Sequence, residues 1–310
     1  MSYTTSIKNE IAFLEKFKSE TIAELSGFIR NNGYIDDNKL FLTTENKKIM
    51  ENIVSTIKKL YEIKVEVETK RNLNFSKNDL YLIIINERIN FILKDLGFYN
   101  NDLEYLDTPP EYIVGANEEI RSYLRGVFLS QGSINDPKTS RYHMEILIDK
   151  PKEAIFVQKL LNIFDLNAKI LNRDKGYMIY IKEAEKISDF IKIIGATKAV
   201  LYFEDIRIYH DKKNRTNRLN NCEQANIDKV VNAAIVQLKN IKELEDNLAL
   251  ELLDDKTKEA LYYRKKYPEA SLKELSEIIS VETGNKITKS GLNHRFRKIN
   301  ELANRLKEEK

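Results

Sequence analysis

Several residue types that build common functional sites are scarce in this 310-residue sequence. It has one cysteine, no tryptophan and three scattered histidines, His143, His210 and His294. The lone Cys222 excludes a disulfide framework and indicates a reducing compartment. One cysteine and three dispersed histidines also argue against a zinc site. We therefore predict no metal and no cofactor.

Long apolar stretches are missing as well. No run approaches the roughly 20 residues that a membrane-spanning helix needs. Residues 1–17 mix charged with apolar residues and lack the apolar core of a signal peptide. We expect a cytoplasmic protein without a membrane partner.

The composition is that of a folded chain with about two domains. Hydrophobic residues make up 42% and charged residues 32% of the sequence. The net charge of +3 is too small to indicate nucleic-acid binding by itself. Residues 256–310, however, contain 14 Lys or Arg and 8 Asp or Glu, a net charge of +6. Positive charge is thus concentrated at one end of the chain.

A short phrase occurs twice, 99 positions apart, at residues 25–33 and 124–132. Gly27 of the first copy corresponds to Gly126 of the second. A glycine within a helix costs about 1 kcal/mol relative to alanine, so we expect both to allow close packing of two helices. The last glycine of each phrase, Gly33 or Gly132, suits a left-handed residue at a helix end.

The same order of predicted elements follows both phrases, which indicates an α+β domain built from a duplicated αββαββα unit with pseudo-two-fold symmetry. The first copy has predicted helices at about 20–32, 45–60 and 86–96, preceded by a helix over 1–18, and extended segments at 34–43, 63–68 and 80–85. The second has helices at about 118–131, 153–164 and 184–194, and extended segments at 142–148, 168–171 and 177–181. We place this domain at residues 1–206.

Residues 207–226 differ from the rest, because five basic residues and one acid in 207–218 are followed by an asparagine-rich stretch. We interpret them as a basic linker or an exposed, weakly structured element. Its cations are either a solvated charge run or phosphate contacts. They are Lys212, Lys213, Arg215 and Arg218. Within this stretch, Cys222 is expected to be a small buried packing residue.

The all-α segment 227–310 has the pattern of a helix-turn-helix at about 271–305. Ser271 and Glu274 form a capping box at the first helix. A turn of about eight residues follows, and the second helix of the motif begins near residues 288–290 with a basic face opposite its apolar residues. The predicted DNA contacts of this region are Lys273, Thr288, Lys289, Ser290, Asn293, His294, Arg295, Arg297, Lys298 and Arg305.

The repeated phrase resembles the double LAGLIDADG motif of homing endonucleases, whose two motif helices pack at a pseudo-two-fold axis. In that family the eighth motif position is an acid, and the two acids hold the metal for phosphodiester cleavage. Here those positions are Asn32 and Gln131, and an amide is a poor ligand for magnesium. We expect the two amides to cap helix ends. Asp37 and Asp136, also 99 apart, lie in turn-like sequence, where aspartates cap turns or are solvated.

A degenerate LAGLIDADG domain followed by a helix-turn-helix resembles the WhiA family of bacterial DNA-binding regulators. The resemblance covers essentially the whole chain, and its most specific phrases are residues 123–129, 132–138, 142–145 and 217–226. It implies a non-catalytic regulator of cell division, chromosome segregation or sporulation-type transcription. The implied partners are double-stranded DNA at the nucleoid and a possible second regulatory or cell-division protein. A metal-dependent endonuclease or RNA maturase, and a protein-binding scaffold, are the alternatives.

Overall fold

The computed structural model describes residues 2–70, 79–139 and 141–308. The chain forms two compact units, residues 1–210 and 211–310. The first unit is α+β and the second is helical.

The first unit contains two copies of one arrangement, each with a four-stranded antiparallel sheet. The first copy consists of α1 (Tyr3–Ile11), α2 (Lys18–Arg30), β1 (Tyr34–Asp36), β2 (Lys39–Thr44), α3 (Lys47–Tyr61), β3 (Glu66–Lys70), β4 (Leu80–Ile85) and α4 (Ile89–Asp95). The second consists of α5 (Glu111–Val114), α6 (Asn117–Gln131), β5 (Gly132–Ile134), β6 (Met144–Ile148), α7 (Pro151–Ile163), β7 (Lys169–Arg173), β8 (Gly176–Ile181) and α8 (Ala184–Ile193). The strand orders β1-β2-β4-β3 and β5-β6-β8-β7 are equivalent, so the predicted duplicated αββαββα fold is confirmed.

The motif helices α2 and α6 pack against each other at the centre of this unit, because glycine leaves room for the opposite backbone. A Cβ atom on Gly27 would collide with the carbonyl oxygen of Tyr123, and one on Gly126 with the carbonyl oxygen of Glu24. Tyr123 lies 99 positions after Glu24, so the two collisions are the same contact related by the pseudo-two-fold axis. Both glycines therefore lie where the backbones of the two motif helices approach each other.

The prediction that the second glycine of each phrase is left-handed is wrong. Gly33 and Gly132 are not among the residues with positive φ, and Gly132 is extended at φ −80°. What requires glycine is space, since a Cβ on Gly132 would collide with the Phe128 ring and one on Gly33 would lie 2.8 Å from the carbonyl oxygen of Ile29.

Several boundaries in this unit also differ from the sequence prediction. The predicted helix over 1–18, whose Met1 lies outside the described residues, ends at Ile11. The extended segment 34–43 is a β1–β2 hairpin, with Tyr34 opposite Phe41. Its turn residues Asp37 and Asn38 have positive φ, which aspartate and asparagine tolerate better than most residues.

Residues 207–226 are helical throughout, and residues 211–226 are exposed, so their interpretation as a weakly structured element is wrong. They lie within α9 (Thr197–Asp246), a continuous helix of 50 residues. No glycine or proline occurs between Gly195 and Pro268, and without these breakers a polar segment continues a helix once one has started. Cys222 is exposed on this helix, which corrects its expected burial.

The second unit contains a short 3₁₀ helix (Ala249–Leu252), α10 (Asp255–Lys266), α11 (Leu272–Thr283) and α12 (Lys289–Glu308). The Ser271–Glu274 capping box is formed as predicted. Residues 284–288 join α11 to α12 and start with Gly284 at φ +70°. The turn therefore has five residues rather than about eight, because α11 continues through Thr283.

Candidate nucleic-acid interface

The C-terminal helix α12 has one buried and one exposed side. Leu292, Phe296, Ile299 and Ala303 are at most 4% exposed and pack in the core of the second unit. Ser290, His294, Arg297 and Arg305 are exposed, and a 3.6-residue period places them opposite that apolar stripe. The predicted division of this helix is thus present in the structure.

The start of α12 is held by Thr288. Its hydroxyl accepts from the backbone N–H of Gly291 at 3.1 Å, and its carbonyl accepts from the N–H of Leu292. Threonine in this position caps a helix, so Thr288 orients the helix start. Lys289, Ser290 and Asn293 are exposed in the first turns that follow.

Two of the predicted DNA contacts are occupied within the protein. Arg295 donates to the carbonyl oxygen of Lys256 at 2.9 Å and to Glu259 at 3.2 Å. Lys298 pairs with Asp254 at 3.1 Å. Hydrogen bonds from the side chain and backbone of Thr257, and then from Lys298, lower the pKa of Asp254 to about 2.

The remaining predicted contacts of α12 are all exposed, and the exposed carboxylate of Glu301 lies one turn from both Arg297 and Arg305. None of them makes an ion pair within the part of the chain that the structure describes. We call this set the α12 face, and it consists of Lys289, Ser290, Asn293, His294, Arg297 and Arg305. Lys273 is exposed on α11, beside the capping box.

A residue that no sequence pattern singled out braces this region. Arg264 is 1% exposed and donates to the backbone carbonyls of Tyr267 and Ala270, the latter at 2.6 Å. Its guanidinium also lies 5.6 Å from the centre of the Phe296 ring of α12. Burial lowers the pKa of Arg264. In the sequence it is one of three consecutive cations, which look like a solvated run.

The basic segment of α9 offers a second set of cations. Lys212, Lys213, Arg215 and Arg218 are all exposed, whereas Arg207 pairs with Glu204 at 2.9 Å. At 3.6 residues per turn, Lys212, Arg215 and Arg218 fall within about 120° of the helix circumference. Lys213 lies outside that arc.

At the ends of the motif helices, Asn32 and Gln131 have different surroundings. Asn32 accepts from the N–H of Thr43 at 2.7 Å and donates to the carbonyl oxygen of Thr43 at 2.8 Å. Each polar atom of its amide thus makes one hydrogen bond that joins the end of α2 to β2. Gln131 makes one long bond of 3.4 Å to the carbonyl oxygen of Asn31.

Asp37 and Asp136, the two aspartates that are 99 positions apart, do not form a common site. Asp37 is exposed in the β1–β2 turn. Asp136 accepts from the Tyr202 hydroxyl at 3.2 Å and from the N–H of Lys138 at 2.9 Å. Among the described residues, no group of three or more His, Cys, Asp or Glu side chains is arranged to hold a metal ion.

His143 has a polar and an aromatic neighbour beside the second sheet. It immediately precedes β6 of the second sheet and is half-buried, 3.2 Å from Glu145 and stacked on Tyr180. Its imidazole therefore has a polar partner and an aromatic neighbour within the protein. No helix in the described ranges is long and apolar enough to cross a membrane.

Known sequences match both units. Three family profiles match this chain: the WhiA N-terminal LAGLIDADG-like domain at residues 18–99, the WhiA LAGLIDADG-like domain at 120–213 and the WhiA C-terminal HTH domain at 216–303. A probable cell division protein WhiA from Pediococcus pentosaceus is 40% identical over 99% of this chain and 100% of its own length. The chain belongs to the WhiA family. A Bacillus cereus relative with the same name is 41% identical, over 99% of this chain and 98% of its own length.

Solved structures of the WhiA family share the fold. Full-length DUF199/WhiA from Thermatoga maritima matches with a TM-score of 0.57 at 23% identity, covering 98% of this chain and 99% of that one. An N-terminal LAGLIDADG domain of DUF199/WhiA matches with a TM-score of 0.50, covering 62% of this chain and 89% of that one. The duplicated unit followed by a helix-turn-helix is thus a WhiA architecture.

Proposed function

We propose that this protein is a non-catalytic, DNA-binding regulator that acts in cell division, with chromosome segregation or sporulation-type transcription as its field of control. Its location would be the cytoplasm, at the nucleoid. The observation that carries the proposal is the α12 face, a polar and cationic surface on the second helix of a helix-turn-helix. In such motifs the N-terminal part of the second helix reads base edges in the major groove.

The residue types of the α12 face suit two kinds of contact. Arginine, lysine and asparagine pair with base edges in the major groove, and a good bidentate pair contributes about 1–3 kcal/mol of discrimination. Lysine and arginine also neutralise phosphates and release counterions. We assign base reading to the start of α12, at Lys289, Asn293 and His294, and phosphate contacts to Arg297 and Arg305.

The end of the motif helices supports a role without cleavage. Both polar atoms of the Asn32 side chain are hydrogen-bonded to the backbone of Thr43, and its amide carries no charge to hold a metal ion. Hydrolysis of a phosphodiester at a metal site needs carboxylate ligands for the ion. We therefore propose that the duplicated unit lacks nuclease activity and serves as a binding domain.

The test is duplex DNA binding by the full chain across a salt series, with Arg297→Ala/Arg305→Ala compared with the unmodified protein. Loss of two phosphate contacts should lower the slope of log K against log salt by about 1.8. The matched control is Lys242→Ala/Lys258→Ala, which removes two exposed cations of the same unit outside the face. Equal slopes for all three proteins would contradict the assignment of phosphate contacts to Arg297 and Arg305. No measurable DNA binding by the unmodified protein would contradict the proposal itself and favour a scaffold that binds protein only.

A further inference from the structure

An open pocket of about 720 Å³ lies beside the ends of the motif helices in the first unit. It is lined by α1, by the ends of α2 and α6, and by the turn that joins β2 to α3. The residues that matter for its chemistry are Lys8, Asn32, Glu45, Lys47, Lys48 and Gln131. We call it the Lys8 pocket.

Lys8 is the unusual residue of this pocket. Its ammonium group has no carboxylate partner in the described residues, and its nearest aromatic neighbour is the Phe128 ring, 5.6 Å away. Burial alone lowers its pKa to about 8. By contrast, the other charged residue of its helix turn, Glu10, is engaged by the N–H groups of Lys198 and Ala199. Lys8 is half-buried at the pocket wall, and a partly desolvated cation without a counter-charge gains more from an incoming anion than a fully solvated lysine does.

The remaining walls of the pocket are also suited to an anion. Lys47 and Lys48 add two exposed cations, and Glu45 is the one carboxylate among the lining residues. Lys47 lies 3.8 Å from Glu51, a distant and exposed pair that contributes little. The 15-residue helix α3 also starts at this pocket, and its dipole favours negative charge there.

At the floor of the pocket, the two motif positions provide amides rather than acids. The Asn32 amide is fixed on Thr43, and the Gln131 side chain is exposed with one long bond. No carboxylate at these two positions therefore repels an anion. The Gln131 amide is a donor within the same pocket as the Lys8 ammonium.

We propose that the Lys8 pocket binds a phosphate group without a metal ion, with Lys8 as the central cation and Lys47, Lys48 and Gln131 around it. Two sources provide this chemistry: a phosphodiester of bound DNA and a free phosphate or mononucleotide. The pocket lies in the first unit, so its binding does not depend on the α12 face.

The first arm of the test measures calorimetric binding of inorganic phosphate and of AMP to the full chain at constant ionic strength. Lys8→Met keeps an unbranched side chain and removes the charge, and Lys8→Arg restores a cation. We expect Lys8→Met to weaken binding at least tenfold and Lys8→Arg to recover most of it. Lys39→Met, at an exposed position of β2 outside the pocket, should bind as the unmodified protein does.

The second arm repeats the DNA salt series with Lys8→Met and, in case that variant folds poorly, with Lys48→Met. A DNA phosphodiester in the pocket predicts a slope smaller by about 0.9. An unchanged slope with lost phosphate and AMP binding assigns the pocket to a free phosphate. Variants that match the unmodified protein in both arms would overturn the proposal. The α12-face variants should keep their phosphate binding, so failure of the proposed function is distinguishable.

Discussion

Arg125 donates to Glu24 at 3.1 Å across the two motif helices, so a buried ion pair joins the two halves of the duplicated unit. Glu24 is 2% exposed and also pairs with Lys16 at 2.6 Å. Arg125 donates in addition to the carbonyl oxygen of Ile194 at 2.8 Å. Residue 26, 99 positions before Arg125, makes the equivalent bond, from the Ser26 hydroxyl to the carbonyl oxygen of Leu96 at 2.8 Å. The pseudo-symmetry thus extends to side-chain bonds, although the side chains differ.

Glu24→Gln should strongly destabilise the first unit, because it leaves two buried cations facing a neutral amide. Removing one partner of a buried ion pair costs about 3–5 kcal/mol. The measurement is urea unfolding followed by circular dichroism. Glu68→Gln, on exposed strand β3, is the control and should change the free energy of unfolding by less than about 0.5 kcal/mol. Equal effects of the two substitutions would show that the ion pair does not hold the halves together.

Gly126→Ala should separate the motif helices. The added Cβ would collide with the Glu24 carbonyl oxygen and lie 2.9 Å from the backbone nitrogen of Phe28. Neither backbone atom can move as a side chain can, so we expect a loss near the upper end of overpacking, about 3 kcal/mol. Gly291→Ala is the matched control, since its Cβ would meet only the Thr288 hydroxyl at 3.4 Å. Thermal unfolding compares them, and a stable Gly126→Ala protein would refute the close packing.

Much of the duplicated fold could be predicted because its signals are visible in the order and spacing of residues along the chain. Strict spacing of 99 residues revealed the two halves, and the Ser271–Glu274 box marked the start of α11. The roles of Gly33 and Gly132 could not be read in this way. Their requirement for glycine comes from neighbouring side-chain and backbone atoms in the folded chain, which the sequence does not show.

The candidate site also contains residues that the sequence indicates and residues that only the folded structure reveals. All members of the α12 face could be predicted from helical period and residue type, whereas the pairing of Arg295 and Lys298 within the protein could not. Arg264 and Lys8 could not be predicted either, since each owes its properties to burial by distant residues. The helical state of residues 207–226 was missed for another reason. A polar composition was taken as a sign of weak structure, while the absence of glycine and proline was the stronger signal.

Asn32→Asp should destabilise the link between α2 and β2. The carbonyl oxygen of Thr43 would lose its donor and face a carboxylate oxygen instead, at a cost of about 1–3 kcal/mol. Gln131→Glu is the matched control, because Gln131 is exposed and makes a single bond of 3.4 Å. We expect a lower Tm for the first variant and little change for the second. Equal Tm values would mean that the Asn32 amide has no structural role.

Stability should depend on pH through Lys8. Because burial lowers its pKa to about 8 from the ordinary 10.5, the unfolded chain binds more protons than the native chain between these values. The Lys8 contribution to stability therefore rises with pH across that window. The charged residues lining the same pocket are Lys47 and Lys48 at the start of α3 and Glu45 before them.

The measurement for Lys8 is the difference in unfolding free energy between Lys8→Met and the unmodified protein from pH 7 to 11. Lys8→Met should be the more stable protein at pH 7, and this advantage should shrink as pH rises. Phosphate binding to the unmodified protein should weaken above about pH 8, where Lys8 loses its charge. A pH-independent difference would show that Lys8 titrates normally.

The most direct test of the central claim is to incubate the full chain with supercoiled plasmid in magnesium, and then in manganese, and to examine the DNA on a gel before and after removing the protein. Binding without catalysis predicts retarded DNA that returns fully supercoiled once the protein is removed. Nicked or linear plasmid that depends on the metal, and that is not formed by an Asn32→Ala protein, would contradict the account. It would show that the motif helices retain nuclease chemistry.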